Sequence, residues 1–368
     1  MESDDSFRAF GREIQSDPIS VLLAKWRRDA FIKDLKGRPD VVEVISSGSL
    51  ARGTQIGPVH DVDLIVVFNP SEHQDYGRGS ESAQAAMDHL ESGLLEARHP
   101  WRGAEQPLLT ETEQKRHVVK CSGVSTGPFE NIIPSVPPVD VMPAVRQGRH
   151  LRVPEDGNSW IDVDPEKFMH LVAEREREWE YFTEVIKMVE AWAEHNHLDI
   201  RNLAIEVMVL RYCPRPRFFQ TLAVGEALAQ FFENAAQAHI TSLKDPAGWC
   251  GEIDPRMDYG ALRRALGEAA DLSRRAMNAE YARASRFDPA DKVPHPDVFW
   301  RELLGDKYPK ASDMARERFW HPQADEPWFV RDRAERAAGT GPEGPSTGPW
   351  SDVFAPGVVP AAVPLTFG

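Results

Sequence analysis

Gly48-Ser-Leu-Ala-Arg-Gly-Thr-Gln-Ile-Gly-Pro-Val-His-Asp-Val-Asp63 is the stretch from which the rest of the chain is read. Its Gly-Ser turn follows an apolar run over 41–45. A short Gly-rich loop then leads to Asp61 and Asp63, at the start of a second apolar run over 64–68. In a strand, side chains at i and i+2 share a face, roughly 6–7 Å apart. Two carboxylates that close repel by about 2–3 kcal/mol at an effective dielectric of roughly 20. A divalent cation offsets that cost. Gly53-Thr54 lets the backbone approach a phosphate closely. A phosphate-cradling turn beside a cation-binding carboxylate pair is what phosphoryl transfer from a nucleotide requires.

A third carboxylate extends the pattern. Asp140 stands inside the apolar run 139–141 and is followed by Met142-Pro143-Ala144. An Asp in a buried strand is costly unless it is paired or metal-bound. With that strand beside 61–68, three carboxylates converge. Together with nucleotide phosphates they suit hard magnesium ions, which take oxygen ligands and keep several waters.

The 368 residues can hold one large or two medium domains. No apolar run approaches the roughly 20 residues of a membrane span. The acidic start Met1-Glu-Ser-Asp-Asp lacks the basic and apolar regions of a signal peptide. Cys121, Cys213 and Cys250 are widely spaced, which fits a reduced cytoplasm and argues against a structural zinc site. The net charge of −15 biases against a long nucleic-acid groove, because phosphate contacts need Lys and Arg.

Helical spacing runs over 17–36 and 81–98, and short Val- and Ile-rich runs over 41–45, 62–68, 117–121 and 139–145 read as strands. The proline-broken stretch 132–138 is a loop. Asp164-Pro165-Glu166 makes a helix start, with Asp as N-cap and Pro in the first turn. Helical patterning continues to about residue 197, then over 203–212, 221–238, 258–284 and 297–304. The expected organisation is an α+β core with its N-terminal helix over 1–160 and a helical domain over 161–335. A Gly- and Pro-rich tail over 336–368 cannot bury enough surface to offset ordering entropy.

This constellation resembles the nucleotidyltransferase superfamily typified by polymerase β. Within it, the sequence is most similar to the CD-NTases, bacterial cyclic-oligonucleotide synthases related to cGAS and the oligoadenylate synthases. Gly48-Ser-Leu-Ala-Arg-Gly-Thr54 resembles that family's Gly-Ser loop, and Val139-Asp-Val-Met-Pro-Ala144 its third-aspartate strand. Trp160 and Asp164-Pro165 resemble the opening of its helical domain. Lys187 with Trp192, and Asn202 with Glu206, resemble its two helical motifs. Asp245-Pro-Ala-Gly248 is similar to its Asp-Pro loop, and Trp300, Gly305 and Pro309 to its closing segment.

The resemblance implies a bilobed fold: a polymerase-β-like core, with a mixed sheet and helices, followed by an all-helical lobe across an active-site cleft. It implies that Asp61, Asp63 and Asp140 hold two Mg2+ ions, with Mn2+ as a substitute, and that Asp140 serves the acceptor hydroxyl. Gly48, Ser49, Lys187 and Asn202 would bind the nucleotide and its phosphates. The product would be a cyclic di- or trinucleotide messenger of antiphage (CBASS) defence, made from nucleoside triphosphates including ATP. The implied setting is cytoplasmic, with an operon partner that conjugates or regulates the tail ending in Gly368. Asn202 and Leu203 depart from the family's Ser followed by a stacking aromatic, so base choice is open.

Other readings stand beside these. The enzyme could be a template-independent transferase making linear oligonucleotides or modifying RNA ends, and from another class it could be an inactive nucleotide-binding scaffold. Lys187 reads equally as a solvated helix lysine. Trp160, Trp192 and Trp300 read as packing residues, Glu206 as a cap or ion-pair partner, and His60 as a flanking loop histidine. Arg52 touches either phosphate or solvent. The tail reads also as an ordinary disordered terminus.

Overall fold

Period-2 apolar runs give strands and period-3.6 runs give helices. The computed structural model describes residues 4–97, 108–123, 136–156, 159–216, 222–285, 292–310 and 312. Helices α1 (Asp4–Ile14) and α2 (Pro18–Lys36) precede β1 (Val41–Ser47), the five-residue α3 (Gly48–Arg52), β2 (Val62–Phe68) and α4 (Glu81–Leu95). Strands β3 (Glu111–Gln114), β4 (Val119–Ser122), β5 (Val139–Gln147), β6 (His150–Glu155) and β7 (Ser159–Val163) follow. Then come α5 (Pro165–Glu178), α6 (Phe182–His195), α7 (Asn202–Tyr212), α8 (Val224–Gln237), α9 (Tyr259–Ala284) and α10 (Pro296–Leu304). Ser312 apart, the described residues belong to one compact unit, Met1–Ala311. The tail expected over 336–368, and most of the loop expected over 132–138, lie outside the described residues.

The sheet is mixed and seven-stranded, in the order β1-β2-β5-β4-β3, with β6 on β5 and β7 on β6. The β2–β5 pairing is parallel, whereas β1 runs antiparallel to β2 and β4 to β5. Alternation sorts the side chains. Leu64, Val66, Phe68, Val139 and Val141 pack with Ala24, Phe31, Leu35, Met87 and Leu90 of α2 and α4. Ile65, Val67 and Ala144 pack on the other face, beside Met169 of α5. By the same period Asp63, Asp140 and Lys120 fall on that second face.

A separate core gathers α5 to α10, with Trp192, Phe231, Phe232 and Trp300 fully buried. Trp192 and Trp300 are therefore packing residues. This core also takes in Phe7, Phe10 and Ile14 of α1. The Phe7 ring sits edge-on to Trp300 at 5.0 Å and to Tyr308 at 5.3 Å, so α1 packs into the helical region. Trp160 belongs to β7, where its Nε1–H donates to Ser82 Oγ at 2.9 Å.

Asp164 caps α5 as expected, accepting from the Lys167 amide at 2.8 Å. The helical run beyond it is not continuous. Trp179 is extended (φ −156°, ψ 110°) and buries its indole, separating α5 from α6. No Gly or Pro marks that break, so a 3.6-residue period reads straight through it. Among the described residues no helix is long and apolar enough to cross a membrane.

Candidate active site

Strand register assembles the acidic cluster. Asp63 lies opposite Asp140 in the parallel β2–β5 pair and opposite Ser47 in the antiparallel β1–β2 pair. Asp61 comes two residues earlier, just before β2, and its charge acts on both Asp63 and Asp140. Burial, then the charges of Asp61 and Asp140, push the Asp63 carboxyl up to about 7. Burial and the Asp61 charge also raise Asp140, against the lowering charge of Lys120. Asp140 Oδ1 is buried without a hydrogen-bond partner. Three crowded carboxylates, one with an orphaned oxygen, are a donor set of hard oxygens that fits a magnesium-type cation. His60 is exposed beside them in the preceding loop.

The Gly-Ser turn is built against this cluster. Gly48 has φ +77°, and a Cβ placed on it would overlap the Asp63 carboxylate. Glycine is therefore required here twice, for the positive φ and for the close approach. Ser49 follows in the first turn of α3, and its carbonyl accepts from the Thr54 amide at 3.0 Å, which closes the loop.

Arg52 is engaged by the protein itself. Its Nε and Nη2 donate to Glu206 Oε2 and Oε1 at 2.6 and 2.8 Å, and its guanidinium lies 5.0 Å from the centre of the Phe168 ring. Thr54 Oγ1 donates to the same carboxylate at 3.1 Å. Glu206 is fully buried and Arg52 nearly so. The ion-pair reading of Glu206 is the one observed, and it fastens the phosphate-type loop to α7.

Asn202 opens α7, exposed, one turn before Glu206. Lys187 on α6 is mostly buried, and its Nζ donates to Glu184 at 3.1 Å. The acidic trio and Gly48 are thus brought together directly. Lys187 is held by an acid of its own helix.

Two further residues, one beside Asp140 and one beside the Arg52–Glu206 pair, carry no sequence signal of their own. Lys120 faces Asp140 across the β4–β5 pair, placing a cation beside the third carboxylate. Glu190, one turn along α6 from Lys187, is buried with both carboxylate oxygens unpartnered. Burial, then the charge of Glu206, push it up to about 9, while Arg52 and Lys187 pull the other way and Glu194 adds to the rise. A lysine in a short strand and a glutamate in a long helix are ordinary in a sequence. Only register and burial single them out.

The raised Glu190 carries a stability prediction. The fold retains a proton that the unfolded chain releases near 4.5, so stability falls as pH rises from about 4.5 to 9. Glu190→Gln removes the ionisable group at nearly the same volume. Urea denaturation at pH 8 should show the variant about 2–4 kcal/mol more stable, with no gain at pH 5. Equal stabilities at pH 8 would refute the assignment.

Comparisons with known proteins bear on the same residues. The family described as a nucleotidyltransferase domain matches residues 28–117, which include Gly48, Ser49, Asp61 and Asp63. A Bacillus cereus (strain VD146) protein described as a probable cyclic nucleotide synthase is 20% identical over 333 residues, covering 84% of this chain and 97% of its own. Among solved structures, the chain is similar to E. coli MS115-1 CdnC with ATP (TM-score 0.56, 16% identity, 83% of this chain and 99% of that one). It is similar also to the Bradyrhizobium diazoefficiens CD-NTase CdnG with GTP (TM-score 0.59, 13% identity, 85% and 96%). At these identities the structural likeness is one of fold.

Proposed function

The chain is a nucleotidyltransferase with the polymerase-β-like fold that CD-NTases share, and from that premise we propose that it makes a cyclic di- or trinucleotide from nucleoside triphosphates. One observation carries the proposal: Asp63 and Asp140 stand in register on adjacent parallel strands, with Gly48 packed on Asp63. The relative described as a cyclic nucleotide synthase supports the cyclic product.

Asp61, Asp63 and Asp140 would hold the magnesium ions. When bound, these neutralise triphosphate charge and lower the cost of ionising the acceptor hydroxyl. The remaining work falls to the chain. The Gly48 backbone and Ser49 grip the terminal phosphates. Lys187 and Asn202, from the helical side, add a charge and a hydrogen-bond donor. Asp140 would accept the acceptor's proton, a role supported by its raised carboxyl and its buried oxygen without a protein partner. The proposed setting is antiphage signalling in the cytoplasm, that of the family the motifs resemble. An operon partner that conjugates or regulates the Gly- and Pro-rich tail belongs to the same proposal, and a covalent adduct lost on truncating that tail tests it.

The decisive experiment incubates the chain with all four radiolabelled nucleoside triphosphates and Mg2+, then adds phosphatase. A small phosphatase-resistant product is expected, because a ring has no terminal phosphate. A product whose mobility shifts because phosphatase trims terminal phosphates from it would refute cyclisation and favour linear synthesis, whereas a ring migrates unchanged. Binding without any product would favour the scaffold reading. Asp61→Asn with Asp63→Asn should abolish the product, and retained activity would refute the assigned cation site.

A further inference from the structure

At the end of β2 away from the aspartates, three side chains from three separate segments meet. Asp40 stands just before β1, His73 lies in the connection from β2 to α4, and His89 is on α4. Asp40 Oδ2 lies 2.7 Å from His89 Nε2 and 3.2 Å from His73 Nε2. The three ligand-capable atoms all lie within 4.8 Å of one another. Five residues of β2 separate Asp63 from Phe68, which at 3.3–3.4 Å per residue is about 17 Å. The cluster is therefore distinct from the acidic trio.

Its members are held from behind. The His73 ring stacks on Tyr76 at 4.4 Å and 11°, and the Phe68 ring lies 5.2 Å from His73 and 5.3 Å from His89. The Asn69 amide donates to the Asp40 carbonyl at 2.8 Å, anchoring the loop that carries the carboxylate. These aromatic walls fix both imidazole orientations, which lowers the entropy cost of presenting their nitrogens together.

The geometry points to a three-ligand site for a first-row divalent cation of the zinc class, formed by Asp40 Oδ2, His73 Nε2 and His89 Nε2. With metal–ligand bonds of about 2.0–2.1 Å, tetrahedral ligands stand about 3.3–3.4 Å apart. To match, the 3.2 Å separation of Asp40 from His73 opens by about 0.1–0.2 Å and the 2.7 Å separation from His89 by about 0.6–0.7 Å, while the two imidazole nitrogens already lie within 4.8 Å of each other. Two imidazoles with one carboxylate form a borderline donor set that suits Zn2+, whereas Mg2+ prefers oxygens alone. His89 is 43% exposed, so the fourth position opens to solvent and the cation has an entry path. The bound ion would tie the start of β1, the β2–α4 connection and α4 to one another. The competing arrangement is a plain hydrogen-bonded cluster, with each Nε2 carrying a proton toward the carboxylate.

Metal titration separates the two. The full chain carrying Asp61→Asn and Asp63→Asn, so that the acidic trio does not contribute, is stripped with chelator and titrated with Zn2+, with Co2+ as a spectroscopic probe. One Zn2+ per chain should bind, Co2+ should develop the visible bands of a tetrahedral site, and saturating Zn2+ should raise Tm by about 3 °C or more. His89→Ala, at a partly exposed helix position, should weaken binding at least about tenfold while leaving the metal-free Tm within about 2 °C. Asp40→Asn gives a second removal, one that keeps side-chain volume. Absence of stoichiometric Zn2+, or the same affinity after His89→Ala and Asp40→Asn, would overturn the site and leave the hydrogen-bonded cluster.

Discussion

Asp63→Asn should lower nucleotide turnover by about 10³-fold or more, and in metal-free buffer above pH 7 it should make the protein more stable. Both effects have one origin. The Asp63 carboxyl is pushed up to about 7 by burial and by its two acidic neighbours, so the fold retains a proton that the unfolded chain gives up near 3.8. Stability is therefore lost as pH rises from about 4 to 7, and the full cost is present above pH 7. Asn keeps the size of the side chain and cannot ionise. At pH 8 without metal, thermal or urea unfolding should show a gain of about 2–3 kcal/mol over the parent, shrinking to nothing at pH 4. A variant that lost activity with no gain at pH 8 would point to a misfolded site. A variant that kept activity would remove Asp63 from the chemistry. The opposed effects are what a charge crowded for function produces, since the repulsion that weakens the empty fold supplies its affinity for a cation.

What the sequence shows and what it hides follow from the range of the interactions. Asp61 and Asp63 are legible because a two-residue period puts both on one face, and Asp140 because a carboxylate within a Val-rich run needs a partner. Gly48 is legible as a turn residue, although its second reason, contact with Asp63, is not. Sheet order is not legible, because β5 pairs with β2 and β4 across loops whose path no local pattern records. Phe7, Phe10 and Ile14 carry a helical period, but their partners Trp300 and Tyr308 stand at the other end of the described chain. Asp40, His73 and His89 match no spacing motif. Their meeting depends on the length of β2 and the seat of α4. Arg52 and Glu206 are separated by 154 positions, and nothing near either announces the other.

That hidden pair supports the second large effect. Glu206→Ala should destabilise the protein by about 3–5 kcal/mol and cut nucleotide turnover, because it strands a buried guanidinium. Arg52 would lose both hydrogen-bonded oxygens, keeping its contact with the Phe168 ring and the more distant charges of Asp63 and Glu190, and the Thr54 hydroxyl would lose its acceptor. The loop from Gly48 to Thr54 would then be held by α3 and by the Ser49–Thr54 backbone bond. Looser phosphate contacts should raise the KM for the nucleoside triphosphate as well as lower kcat. Arg52→Met alone should cost stability for the same reason in reverse, leaving the Glu206 carboxylate buried and unpaired. The double variant decides between charge and packing. With both ions removed, the uncompensated charge disappears, so stability should recover by about 1–3 kcal/mol relative to Glu206→Ala. Turnover should not recover, because the loop still lacks its tether to α7. A double variant that restored both would make the pair a stability element only. One that restored neither would show that these side chains act through shape. The predicted split makes Arg52–Glu206 a positioning device, joining the loop that carries Ser49 to the helix that begins at Asn202.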